Sequence, residues 1–235
     1  MKAYIDLHIH SSLSPCSDKD MTPNNIVNMA YLKGLDIIAV TDHNSAENCD
    51  AMVICGKKRG IIVVPGMELE TREEVHLVCL FPSVAEAHRM QEIVYNALPD
   101  IENREDIFGQ QIMMDEEDNI SGYQKRLLLT ASSLSIDDAF MNVSSLGGVV
   151  IPAHVDRDSY SMISNLGIIP KTPKMKYIEV SRTCYVKRFV QNNPYLKEFN
   201  IIRSSDAHTL GDIFEKESFI ELEELSIECL LGTLG

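Results

Sequence analysis

The sequence predicts an α/β protein whose strands are arranged as in a TIM-like barrel and not as an open sheet. Short apolar runs alternate with amphipathic helical stretches from start to finish, the pattern of strands joined by helical crossovers. Seven such runs begin at residues 2, 36, 61, 75, 149, 177 and 200, closer to a barrel's count than to an open sheet's. Six of the seven histidines fall at the ends of these runs.

The first run, Lys2 to His10, alternates with period two, so Asp6, His8 and His10 share one face. Thr22 and Pro23 mark a helix start and Gly34 its stop, leading to a strand from Asp36 to Thr41. Ser45 is the expected cap of a second helix ending near Gly60. The strand Ile61 to Pro65 then delivers the turn that carries Glu68, and Val75 to Phe81 is a further strand. Ser83 and Glu86 form a capping box for a helix through Leu98, and the acidic stretch from Pro99 to Gln124 reads as a surface excursion. Ser135 with Asp138 opens a helix that stops at Gly147 and Gly148. Val149 to Ala153 is uniformly apolar, as strands buried on both faces are. Tyr177 to Val180 and Asn200 to Arg203 complete the series, and Ser218 to Leu231 reads as a short strand and a closing helix.

At 235 residues, with 45% hydrophobic and 24% charged residues, the chain is expected to form one domain over residues 1–235. No stretch approaches the roughly 20 apolar residues of a membrane helix. The N-terminal run is too short and polar for a signal peptide, so a cytoplasmic protein with no membrane partner is expected. The six cysteines are scattered with no Cys-x-x-Cys pair, which argues against a disulfide framework. A formal charge of −14 repels polyanions, so no long nucleic acid is expected as a partner. Nothing in the sequence indicates an oligomeric state.

The chemistry lies in Asp6-Leu-His8-Ile-His10, Thr41-Asp-His43, Glu68, His76, His154 and Ser205-Asp206-Ala-His208. Imidazole ligates zinc, iron and manganese, and carboxylates can bridge two ions, so this set suits a polynuclear site of two or three divalent ions (Zn, Mn or Fe). Asp6 and Asp42 stand beside histidines and are expected to accept their second ring N–H. His88, mid-helix, is expected to be solvated.

Taken in order, Asp-x-His-x-His, Thr-Asp-His, Gly-Met-Glu followed by a histidine, Pro-Ala-His and Ser-Asp-Ala-His resemble the PHP family, named for polymerase and histidinol phosphatase, from Ala3 to His208. The resemblance implies a distorted seven-stranded (β/α)7 barrel with a trinuclear site. It implies one metal on His8, His10, Glu68 and Asp206, and a second sharing Glu68 and adding His76 and His154. A third would take His43 and His208, completed by Cys16 or Asp18 in Ser14-Pro-Cys-Ser-Asp18, where relatives carry a Ser-Asp-Gly turn or a histidine.

Clustered divalent ions activate water and neutralise phosphoryl oxygens, so the expected activity is a metal-dependent phosphoesterase, with Asp206 handling the water's proton. Arg157 and Arg182 are the expected phosphate contacts, and the expected substrate is a small phosphorylated metabolite or nucleotide. An oligonucleotide nuclease is the alternative within catalysis. A non-catalytic metal-binding structural or regulatory module is the alternative outside it.

Overall fold

The structure is a computed structural model describing residues 1–235. Strand β1 (Lys2–Ile9) leads to α1 (Pro23–Leu32), β2 (Ile37–Val40), α2 (Cys49–Arg59) and β3 (Ile62–Glu70). Then come β4 (His76–Leu80), α3 (Val84–Ala97), α4 (Glu105–Phe108) and the hairpin β5 (Ile112–Met114) with β6 (Ile120–Tyr123). The second half holds α5 (Ile136–Ser145), β7 (Val149–Pro152), α6 (Met162–Leu166), β8 (Tyr177–Val180), α7 (Val186–Asn192) and β9 (Asn200–Arg203). It closes with β10 (Phe219–Glu221) and α8 (Ile227–Leu234).

Six strands make one curled sheet, a half-barrel in the order β10-β1-β2-β3-β4-β7, and β8 pairs with β9 separately. The α/β class is as expected, but the βα alternation is broken once. Only five residues separate β3 from β4, too few for a parallel crossover, so the two pair antiparallel from Gly66–Leu80 to Glu70–His76. His76 therefore stands at the start of its strand and still reaches the face on which the parallel strands end. Backbone bonds from Val155 N–H to the Glu179 carbonyl (2.8 Å) and from His10 N–H to the Ala207 carbonyl (3.0 Å) tie the β8–β9 pair to both sides of the sheet.

Ile5, Leu7, Ala39, Val64, Val78 and Ile151 pack on the concave side, and a larger core of Ile38, Met52, Met67, Leu77 and Phe81 fills the space under the helices. Thr22 caps α1, and Ser135 with Asp138 forms the expected capping box on α5. Helix α2 starts at Cys49 with Asn48, not Ser45, at its N-cap, and the Ser45 hydroxyl donates to Gln91 at 3.1 Å. The stretch from 99 to 124 is not a mere excursion: Asp118 accepts from the Thr22 hydroxyl (2.8 Å) and Asn24 N–H (3.0 Å), pinning the β5–β6 hairpin to the start of α1. No helix is long and apolar enough to cross a membrane.

Candidate metal centre

Glu68 is the hub. It sits in β3, 1% exposed, and its two oxygens lie 2.9–3.4 Å from ring nitrogens of His8, His10, His43, His76 and His154. The elements explain the convergence. His8 ends β1, His43 follows β2, His154 follows β7 and Asp206 follows β9, all on one rim. A backbone bridge between His43 and Glu68 fixes the loop after β2 to β3. His154 and Asp206 both adopt left-handed backbone conformations, with φ of 30° and 51°, strain of the kind that accumulates where side chains are aimed for function.

Potential ligand atoms form three groups, each within 4.8 Å: His8, His10 and Glu68; His43, Glu68 and His76; His10, His43 and His208. Asp206 joins the first, its Oδ1 being 3.3 Å from His8 Nε2 and 3.0 Å from His10 Nε2, and His154 Nε2 reaches Glu68 Oε1 at 3.1 Å. Cys16 is exposed yet lies against His43 and His208: burial of the sulfur raises its thiol, but hydrogen bonds to those imidazoles bring it down to about 7. Asp18 turns away, accepting from Asp20 N–H at 3.1 Å.

The donor set fits divalent cations. Against their burial, Glu68 and its neighbours hold His8 and His43 well above the ordinary histidine value, and raise His76 too. The carboxylates thus draw protons into the place a cation would take. His10 is pushed well below by burial and by the imidazoles of His208 and His43. Its tautomer is fixed as well: the Ser14 hydroxyl donates to Asp42 Oδ1 (2.6 Å), so it must accept from His10 Nδ1 (3.0 Å), leaving the Nε2 lone pair facing His8 Nε2 at 3.2 Å. His154 Nδ1 and Asp206 Oδ1 are buried without an accepted hydrogen bond. The Asp206 orphan and the facing lone pair are what a bound cation relieves.

The supporting groups differ from expectation. Asp6 accepts from the backbone N–H of Ser205 (2.9 Å) and Phe214 (3.0 Å), and so anchors the loop of Asp206. Asp42 accepts from Ser11 and acts on His10 through Ser14. Glu179 takes the role expected of Asp6: 2% exposed on β8, it accepts from His8 Nδ1 at 2.9 Å and from His154 N–H at 3.1 Å. One signal pointed to it, a lone acid in the otherwise uncharged strand Tyr177–Val180.

Arg157 Nη1 meets Asp206 Oδ2 at 2.6 Å, with the side chain 44% exposed. Arg182 is not brought to the cluster. Its guanidinium pairs with Asp212 at 3.3 Å and lies over the Phe214 ring. His88 is half-buried and pairs with Asp50 at 3.1 Å.

A family model for the PHP domain matches residues 6–166. Among curated proteins, a 5′-3′ exoribonuclease of Haemophilus influenzae is 35% identical over 78 residues, 32% of this chain and 27% of that protein. An uncharacterised protein of Methanocaldococcus jannaschii, MJ0043, is 34% identical over 102 residues, 43% of this chain and 13% of that one. The lesion-specific endonuclease Q of Pyrococcus furiosus superposes on all of this chain and 56% of its own, with TM-score 0.72 and 18% identity. Endonuclease Q in complex with a 27-mer duplex carrying an abasic lesion gives 0.71 and 18%, over all of this chain and 57% of its own. The chain therefore spans little more than half of the endonuclease, and less of the curated relatives. Over its whole length this chain superposes on just over half of a protein whose complex holds a DNA duplex, and this corrects the expectation of a small-molecule substrate with long nucleic acid excluded. The −14 charge misled because it is an average. Residues 171–203 hold eight Lys and Arg against two Glu, a local +6.

Proposed function

The chain belongs to the PHP domain family and is a metal-dependent hydrolase, and we propose that it cleaves phosphodiester bonds of nucleic acid. We read β1, β2, β3, β4, β7, β8 and β9 as seven staves of a distorted barrel, and residues 1–235 as one domain. The observation that carries the hydrolytic reading is Glu68, a buried carboxylate within 3.4 Å of five imidazoles. The nucleic-acid reading is supported by the likeness to endonuclease Q over the whole chain and to the H. influenzae exoribonuclease over 78 residues.

His8, His10, Glu68 and Asp206 would hold one ion, Glu68, His76 and His154 a second, and His43, His208 and Cys16 a third. Cys16 is preferred to Asp18 because its sulfur faces both histidines. Two or three divalent ions so held would supply Lewis acidity, lowering the pKa of bound water toward neutrality and neutralising phosphoryl oxygens.

The protein's own groups do the rest. Glu179 fixes the ring of His8, and Ser14 fixes that of His10. Burial raises Asp206, but the charge of His8 holds it ionised, and its Oδ2, released when Arg157 turns to the substrate, can take a proton. Arg157, paired with Asp206 but half exposed, can swing to the substrate's phosphate, where a guanidinium fork binds two oxygens at once.

The test is cleavage of end-labelled single-stranded and duplex DNA and RNA by protein reconstituted with Zn, Mn or Fe. Metal-dependent strand scission that Glu68→Gln abolishes is expected. Failure to cut any strand under these conditions refutes the proposal.

A further inference from the structure

The loop leaving β7 carries an exposed aromatic ring that the hydrolytic chemistry does not use. Tyr160 has φ of 53°, a costly conformation for a bulky side chain. Its ring stacks on His76 with centroids 4.8 Å apart and planes 24° apart, and its carbonyl accepts from His76 N–H at 2.9 Å. Even so, 47% of the residue faces solvent. One face of the ring covers the imidazole and the other is left open on the rim of the histidine cluster.

The loop is tethered to hold the ring there. Asp156 accepts from Ser181 N–H (2.7 Å) and from its hydroxyl (2.6 Å), and the buried Ser161 donates to the Arg157 carbonyl at 2.8 Å. Three residues before Tyr160, Arg157 reaches the opposite side of the cluster, to Asp206. One loop thus presents a cation and a flat π surface, both partly exposed, on either flank of the candidate metal centre.

Glycine or asparagine would take this left-handed turn at lower cost, and an aliphatic side chain would cover His76 without leaving a ring in water. What tyrosine adds is an open π face a few ångströms from the phosphate-handling groups, and the ligand part that matches it is a nucleobase, since every base presents a π face of its own. We infer that Tyr160 is the stacking platform for the base adjoining the scissile phosphate, seated while Arg157 takes that phosphate's charge. This deepens the nuclease reading and rests on it.

The experiment compares two diesters in the same metal buffer: the p-nitrophenyl ester of thymidine 5′-phosphate, and the same ester of 1,2-dideoxyribose 5-phosphate, which lacks only the base. Wild type and Tyr160→Phe should favour the base-bearing ester by about tenfold in kcat/KM, the size of one base–aromatic stack. In Tyr160→Ala and Tyr160→Leu the ratio should fall close to one. A second readout needs no turnover: 2-aminopurine in a cleavage-resistant phosphorothioate dinucleotide should lose fluorescence on binding wild type or Tyr160→Phe, and keep it with Tyr160→Ala. If Tyr160→Ala slows both esters equally and leaves the ratio at its wild-type value, Tyr160 only supports His76 and the inference is overturned. An enzyme that cuts nucleic acid but shows no preference for the base in wild type overturns it alone. An enzyme that cuts no nucleic acid defeats the parent reading first.

Discussion

Glu68 is the residue whose loss should matter most. Glu68→Gln keeps the size but turns one accepting oxygen into a donating NH2 and removes the charge that five imidazoles face, so turnover should fall at least about a thousandfold, the scale of losing a preorganised electrostatic group. Circular dichroism should be unchanged; near-normal rates would reduce Glu68 to a turn residue. Glu179 should act on binding and not on the fold, because it only orients His8 and the loop of His154. Glu179→Ala should weaken metal affinity by about 10–100-fold, as removing a histidine's outer partner does. Glu179→Gln, which still accepts from Nδ1, should recover part of that affinity, and equal affinity in all three proteins would refute the role. The histidines and Glu68 were legible in the sequence because metal-binding residue types stand at strand ends. The partners of their second nitrogens were not. Those bonds join residues 171 apart for His8 and Glu179, and adjacency in sequence had suggested Asp6 and Asp42 instead.

Among the elements, the β3–β4 hairpin carries both Glu68 and His76, and its close approach depends on Gly66. A Cβ there would meet the Cys79 carbonyl at 2.7 Å and Thr41 Cγ2 at 3.1 Å. Gly66→Ala should therefore cost about 1–3 kcal/mol, the usual penalty of overpacking, and should lower activity as the strand pair spreads beneath the cluster. Ser83→Ala, which deletes the N-cap of α3 just beyond the end of β4 opposite His76, should cost about 1 kcal/mol and leave kcat untouched. Chemical denaturation with steady-state kinetics on both variants separates these outcomes; parallel losses of activity would mean that stability, not strand spacing, limits turnover. Most strands and caps could be read from alternation and cap residues. The antiparallel turn of β4 could not, because the sequence reads the strand as ending at Pro65, whereas β3 runs on through Glu70 and leaves a link too short for a crossover.

Over the whole molecule, charge is segregated, and this corrects the inference drawn from its net value. The +6 stretch at residues 171–203 includes Lys187 and Arg188, exposed on α7 just beyond the end of β8 and hence beside the rim of the site. Reversing both to glutamate should weaken binding to a single strand and lower the slope of log affinity against log salt by about 1.4, at roughly 0.7 per phosphate contact. An unchanged slope would place the strand elsewhere. Sequence reading missed this because the basic residues are spread from Lys171 to Arg203 over the loops around β8, α7 and β9 and never form a run. The central claim, a metal-dependent cleavage of nucleic-acid strands at the Glu68 cluster, is tested most directly by kcat/KM for mononucleotides and for oligonucleotides of increasing length in one metal buffer. The structure predicts a specificity constant that climbs with length, falls with added salt and vanishes in Glu68→Gln. A constant that is greatest for mononucleotides and indifferent to salt would contradict it.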